Sequence, residues 1–280
     1  MEIIFAGGSH VATSGYKSLC KYFDRIYIFR EGVETIDCEK RSVDVIIDNF
    51  NDVECKYVFL SGYARIITDE QLSKKIFINQ HGSLLPKYRG MHSIFYAIMN
   101  GEKQLGLTYH LVNKFIDAGD IIKQYSFEYT GQTIKEISQM YEKIIEQESG
   151  MVCYNYITGK ILPIKQDESI ATYVAKRNLD DCIVDFNMPN KYMRRFFAAL
   201  NPPYPYPILA IRGKKYSILD GYQVLDRDYY GPIGRVVNKD DKGVWIKTVD
   251  GLLIVKNVCE VGTNNKFNLG EIVPIGYRFN

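Results

Sequence analysis

The chain has 280 residues, 46% hydrophobic and 24% charged, an ordinary globular balance with room for one large domain or two smaller ones. Lys and Arg number 35 against 33 Asp and Glu, and the resulting net charge of +2 argues against a sequence-wide nucleic-acid footprint, which would be much more basic. The six cysteines are scattered, with no CxxC pair and no tight histidine companions, which argues against a zinc ribbon or a disulfide framework. No metal site is expected.

The amino end, residues 1–10, reads as a first strand and lacks both the basic region and the long apolar run of a signal peptide. No uncharged apolar stretch reaches the roughly 18 residues of a membrane span, so the cytoplasm is the expected location. Residues 3–6, 25–29, 57–60 and 76–78 are short apolar runs of the kind buried on both faces of a parallel sheet. Amphipathic stretches at 13–22 and 68–75 separate them, and this alternation predicts an α/β domain with an open, mostly parallel, Rossmann-like sheet. Gly7-Gly8-Ser9 follows the first strand, but the full GxGxxG fingerprint is missing, and a tight strand-to-helix turn accounts for it. Thr133-Ile-Lys-Glu136 fits a capping box before a long helix whose apolar stripe (Ile134, Ile137, Met140, Tyr141, Ile144, Ile145) marks core packing, and Gly159 is a natural stop.

A helix is expected over 191–200. The prolines of Asn201-Pro-Pro-Tyr-Pro-Tyr-Pro207 then break it. Short β-like runs follow at 233–237, 244–248, 252–255 and 271–274, with hairpin connections at 238–243 and 250–251. The expected organisation is therefore a catalytic domain over 1–200 and a small, β-rich, OB-like domain over 201–280.

The run Ile76-Phe-Ile-Asn-Gln-His-Gly-Ser-Leu-Leu-Pro-Lys-Tyr-Arg-Gly90 carries most of the chemistry. Its strand delivers Asn79 and His81 two residues apart, on one side of an extended chain, at the strand end where open parallel sheets bind ligands. An amide donor beside an imidazole suits oxyanion stabilisation and proton transfer, although a hydrogen-bonded core histidine fits the same residue. Downstream, a strand at 107–112 runs into a turn holding Asp117 and Asp120 before another strand near Ile121. Asp117 fits either the orienting carboxylate of a triad or a turn aspartate bonding its own backbone, and Asp120 fits the latter better.

Asn79-Gln80-His81, then Ser83-Leu84-Leu85-Pro86, then Asp117-Ala118-Gly119, with His81 and Asp117 36 positions apart, closely resembles the folate-dependent formyltransferase family. The resemblance covers most of the chain and implies catalytic roles for Asn79, His81 and Asp117. It implies 10-formyltetrahydrofolate as donor, in a cleft lined by residues 60–67 (Tyr63, Arg65, Ile67) on one side and residues 112–117 (Val112, Phe115) on the other. Ala6-Gly7-Gly8-Ser9-His10 departs from the usual Gly-Thr-Pro-x-Phe.

Among the subfamilies, the chain is most like the amino-sugar nucleotide N-formyltransferases, which read Asn-x-His-Gly-Ser-Leu-Leu-Pro-Lys-Tyr-Arg-Gly as this chain does over 79–90. The implied acceptor is the amine of a nucleotide-linked amino-deoxysugar, such as a dTDP-linked 3- or 4-amino-dideoxyhexose, for surface polysaccharide such as lipopolysaccharide O-antigen. Methionyl-tRNA formyltransferases are the alternative; they tend to be longer and read Arg-Gly-Ala-Ala-Pro where this chain has Arg89-Gly-Met-His-Ser93. Glycinamide ribonucleotide formyltransferases resemble only the first domain. On the amino-sugar reading, Lys87, Arg89, Arg194 and Arg195 are candidates for the diphosphate, and Tyr204 and Tyr206 for stacking on the base. His10 stands at the rim of the substrate site, and His92 and His110 take structural or rim positions. Exposed edges in the β-rich tail suggest a homodimer; nucleic acid and membrane are not expected partners.

Overall fold

The computed structural model describes residues 1–202 and 204–279. Pro203, inside the expected proline-rich break, and Asn280, at the end of the expected second domain, lie outside the described residues. The chain divides into two units, the first made of Met1–Ala97, Glu102–Thr130 and Glu136–Lys176, the second chiefly of the residues from Arg177 onward.

The first unit holds a seven-stranded sheet of β1 (Glu2–Gly7), β2 (Arg25–Phe29), β3 (Val45–Ile47), β4 (Tyr57–Ser61), β5 (Ile76–His81), β6 (Gln104–Leu111) and β7 (Ile121–Glu128), in the order β3-β2-β1-β4-β5-β6-β7. Strands β1 to β5 pair in parallel, whereas β6 runs antiparallel to both β5 and β7. Ile3, Ile4, Phe5, Val58, Phe59 and Ile78 are fully buried, as strands covered on both faces require. Helix α1 (Ala12–Leu19) follows β1 and α2 (Asp69–Lys74) follows β4. The latter opens on a capping box in which Thr68 and Gln71 exchange side-chain bonds to each other's backbone N–H. Helix α3 (Ser93–Asn100) links β5 to β6, and α4 (Ile134–Ile157) follows β7. The predicted stripe on α4 faces inward at Ile134, Ile137, Tyr141 and Ile145, and the helix stops at Gly159, whose φ of +73° suits a glycine.

The second unit contains α5 (Asn190–Ala199), then β8 (Ile208–Ile211), β9 (Lys214–Leu225), β10 (Val236–Asp240), β11 (Gly243–Lys247), β12 (Leu252–Glu260), β13 (Lys266–Asn268) and α6 (Leu269–Ile272). Its sheet is antiparallel in the order β10-β11-β12-β9-β8, with β13 against β12. Several features differ from expectation. The boundary lies near 176/177, ahead of the break at 200/201. Helix α5 is tied into the second unit, where Asn190 donates to the Leu225 carbonyl (2.8 Å) and accepts from Thr248 Oγ1 (2.9 Å), and Asp250 caps its backbone N–H (2.8 Å). The strand expected at 271–274 is instead the helical turn α6, because the Asn268 side chain accepts from Gly270 N and starts a helix there. Finally, β3, α3 and the β8–β9 hairpin carry no clear signal. β3 is too short to show a period, and β9 is mostly exposed over its second half. Among the described residues no helix is long and apolar enough to cross a membrane.

Candidate active site

Strand β5 extends three residues beyond its expected end, so Asn79 and His81 sit on the strand itself, at its carboxyl end. The β5–β6 register sets Asn79 opposite His110 and His81 opposite Thr108. Beyond β6, the chain turns through Asp117, whose φ of +48° lies in the left-handed region that few non-glycine residues adopt. That turn brings the Asp117 carboxylate between two imidazoles, with Oδ2 3.4 Å from His81 Nδ1 and Oδ1 3.6 Å from His110 Nε2. Gly90 N donates to Oδ2 at 2.8 Å, so the carboxylate binds another segment and not its own turn.

His81 is 8% exposed, and its Nε2 bonds the Tyr88 carbonyl at 2.8 Å. Both ring nitrogens therefore face oxygens that only accept. A neutral ring serves one of them and an imidazolium serves both. The contact to Asp117 is long for a charge-assisted bond.

His110 was expected in a structural or rim position, and it lies in the centre of the site. Its Nδ1 lies 2.7 Å from the Leu111 carbonyl, which accepts only, so Nδ1 carries the proton and Nε2 a lone pair. That lone pair accepts from Asn79 Nδ2 at 3.2 Å, which fixes the Asn79 amide and leaves its second N–H for an incoming oxygen. The neutral form follows from burial, which pushes the imidazole down to about 4 against the opposing pull of Asp117. Only strand register, invisible in one sequence, reveals this residue.

The depressed value has a consequence for stability. An unfolded histidine titrates near pH 6.5, so between that pH and about 4 the unfolded chain holds a proton that folded His110 refuses. Its contribution is thus fully present above about pH 6.5 and is lost as pH falls, by about 3 kcal/mol at the limit. Urea unfolding at pH 7 and pH 4.5 should show wild type losing more stability than His110→Asn. Parallel losses in the two proteins would contradict a neutral buried His110.

The expected folate residues divide into two groups. Tyr63, Ile67 and Val112 pack on one apolar cluster with Leu60, Phe50 and Phe77. Arg65 is exposed and paired with Glu31, and Phe115 is 60% exposed under the Lys114 ammonium. Of the expected substrate contacts, Arg89 is corrected outright. It is completely buried, and all five of its guanidinium N–H groups are used, by Gln166, Glu168 and Tyr173, so none remains for a phosphate. Lys87 is exposed, pairs with Glu102 at 3.4 Å, and lines a cavity of about 250 Å³ behind the 82–88 loop. His10 is exposed, 3.7 Å from Glu142. Tyr204 and Tyr206 belong to the second unit, as do Arg194, bound to Asp226 at 2.7 Å, and Arg195, bound to the Met99 carbonyl at 3.2 Å. No group of three metal-ligating side chains occurs among the described residues.

Residues 33–154 match the formyl transferase family and residues 177–265 match the formyl transferase C-terminal domain. The chain belongs to this two-domain formyl transferase family. It is 30% identical over 211 residues to a methionyl-tRNA formyltransferase of Streptococcus thermophilus, a match that takes in 73% of this chain and 65% of the relative, so the chain spans less than two thirds of that protein. Among solved structures, the fold is similar to HypX from Aquifex aeolicus in complex with tetrahydrofolic acid, with a TM-score of 0.63 and 18% identity over 96% of this chain and 46% of that one. It is also similar to WlaRD, a sugar 3N-formyl transferase, with a TM-score of 0.63 and 20% identity over 94% of this chain and 98% of that one.

Proposed function

We propose that this protein transfers the formyl group of 10-formyltetrahydrofolate to the amine of a nucleotide-linked amino-deoxysugar. The observation that carries the reading is the convergence of Asn79, His81 and Asp117 at the end of β5, with one Asn79 N–H left over and a carboxylate behind the imidazole. The amine attacks the formyl carbon, charge gathers on the formyl oxygen, the bond to folate N10 breaks, and a proton passes from the amine to N10. Asn79 and His81 donate to the developing oxyanion. Asp117 orients His81, as the third member of a triad does. The pterin rests against Tyr63, Ile67 and Val112, with Arg65 and Phe115 at the cleft mouth. With Arg89 withdrawn, Lys87 remains in the first unit as a contact for the diphosphate, with His10 at the rim of the substrate site.

The sugar is favoured by the uninterrupted Asn79-Gln-His-Gly-Ser-Leu-Leu-Pro-Lys-Tyr-Arg-Gly90 run and by a net charge of only +2. Methionyl-tRNA is the second reading, because the curated relatives carry that name. A competition assay with 10-formyltetrahydrofolate, charged initiator tRNA and a panel of amino-deoxysugar nucleotides separates them. A formylated sugar is expected, with affinity falling only modestly as salt rises. A tRNA acceptor gathers many phosphates and would weaken steeply. Formylated methionyl-tRNA with no sugar product would overturn the substrate and leave the catalytic trio in place.

A further inference from the structure

We infer that residues 164–174, the segment after α4, form a strap that sets the catalytic turn, and that Gln166 and Arg89 are positioning residues for Asp117. The inference rests on the formyl-transfer reading only for the reaction used to test it.

The strap is fastened at both ends. At one end Ile164 exchanges two backbone hydrogen bonds with Ile121, each 2.8 Å, just beyond the catalytic turn. At the other it runs parallel to the 86–90 loop: Arg89 N donates to the Thr172 carbonyl (2.9 Å), Val174 N donates to the Arg89 carbonyl (2.8 Å), and Tyr88 N donates to Thr172 Oγ1 (2.8 Å). Between these ends lies a polar chain. Arg89 donates through Nε and Nη2 to Gln166 Oε1, at 3.1 and 2.8 Å, while Gln166 Nε2 donates to the carbonyls of Asp117 (2.8 Å) and Gly119 (2.7 Å).

The order of these groups is forced. A guanidinium only donates, so the Gln166 amide must turn its oxygen to Arg89 and its NH2 to the turn. Glu168 adds two bonds to Arg89 from the far side, and its charge raises the guanidinium's proton affinity while Arg89 holds the Glu168 carboxyl below its ordinary range. The residue after Arg89, Gly90, donates its N–H to the Asp117 carboxylate. Asp117 is thus gripped by its main chain through Gln166 and by its side chain through Gly90, with Arg89 joined to both. A left-handed aspartate persists only where its surroundings over-determine it, and these are the groups that do so.

Gln166→Glu isolates the effect. The carboxylate keeps both bonds from Arg89 and sets an acceptor against two carbonyl oxygens, so the strap stays anchored and the turn is released. Gln166→Met, which removes both sets of bonds without adding charge, covers the case in which the first variant fails to fold. With 10-formyltetrahydrofolate and the amino-sugar nucleotide that is turned over, kcat should fall roughly 10- to 100-fold, the scale of an ångström-sized misplacement. KM for the folate should stay within about threefold, because the folate cleft residues are not on the strap. Amide hydrogen exchange over residues 111–120 should quicken in the same variant. A folded variant with wild-type kcat and wild-type exchange would overturn the inference, as would a loss confined to KM. His81→Ala, run alongside, keeps the two readings apart. If it retains full activity, the formyl-transfer site is wrong, and the exchange measurement still decides the strap.

Discussion

His81→Ala should remain folded and lose formyl transfer by about 10²- to 10⁴-fold, the range seen when a proton-transfer group or oxyanion donor is deleted. His110, a second imidazole with its ring centroid 6.4 Å away, has its Nδ1 committed to the Leu111 carbonyl, and its Nε2 carries a lone pair turned toward Asn79, so it has no proton to offer an oxyanion. Truncation removes one hydrogen bond to the Tyr88 carbonyl, a modest stability loss of about 1 kcal/mol. Asn79→Ala and Asp117→Ala should produce losses of the same order. The double and triple variants should fall little further, since the groups act as one unit. The measurement is tetrahydrofolate release under saturating donor and amine, beside a thermal melt of each protein. Near wild-type turnover by folded His81→Ala would remove the assignment; strictly multiplicative losses across the variants would remove the claim that they act together.

What the sequence makes legible here is whatever is carried by neighbours along the chain. Asn79 and His81 stand two apart on one strand, the amphipathic stretch at 68–75 and the Thr133 signal fall at real helices, and the stripe on α4 packs inward, because periodicity and capping are local properties. Features that depend on which strand pairs with which are illegible. His110 enters the site only through the register that sets it opposite Asn79. By sequence alone Arg89 is a candidate for the diphosphate, because an arginine beside a motif suits a phosphate. Its burial depends on Gln166, Glu168 and Tyr173, some eighty residues downstream in a segment with no periodic pattern. The division of units near 176/177 is illegible for a related reason: the texture changes at the prolines, but α5 is claimed by Asp250, Thr248 and Leu225, which come later in the chain.

The second large effect is expected from Gly119→Ala, a single methyl added next to the turn that carries Asp117. Gly119 is buried, and a Cβ there would stand 1.8 Å from the Leu111 carbonyl oxygen and 2.6 Å from its carbon. Neither atom belongs to a flexible side chain. Leu111 N donates to the Asp120 carbonyl and Val112 N to the Phe77 carbonyl, both at 2.9 Å, so the end of β6 is fixed from two directions. The turn must therefore move, taking with it the Asp117 and Gly119 carbonyls held by Gln166 and the carboxylate held by Gly90. Overpacking against rigid backbone costs about 1–3 kcal/mol, and displacement of Asp117 by about an ångström costs roughly 10²-fold in rate. Gly82→Ala is the matched control: it adjoins His81, yet its Cβ would meet nothing closer than the Ser93 hydroxyl at 3.5 Å, an ordinary contact. Urea unfolding and kcat measured on both variants should show Gly119→Ala weakened and nearly inactive, and Gly82→Ala close to wild type in stability. Equal stability and equal rates in the two would mean that the turn yields to the methyl group, and that Asp117 does not need the backbone position it occupies.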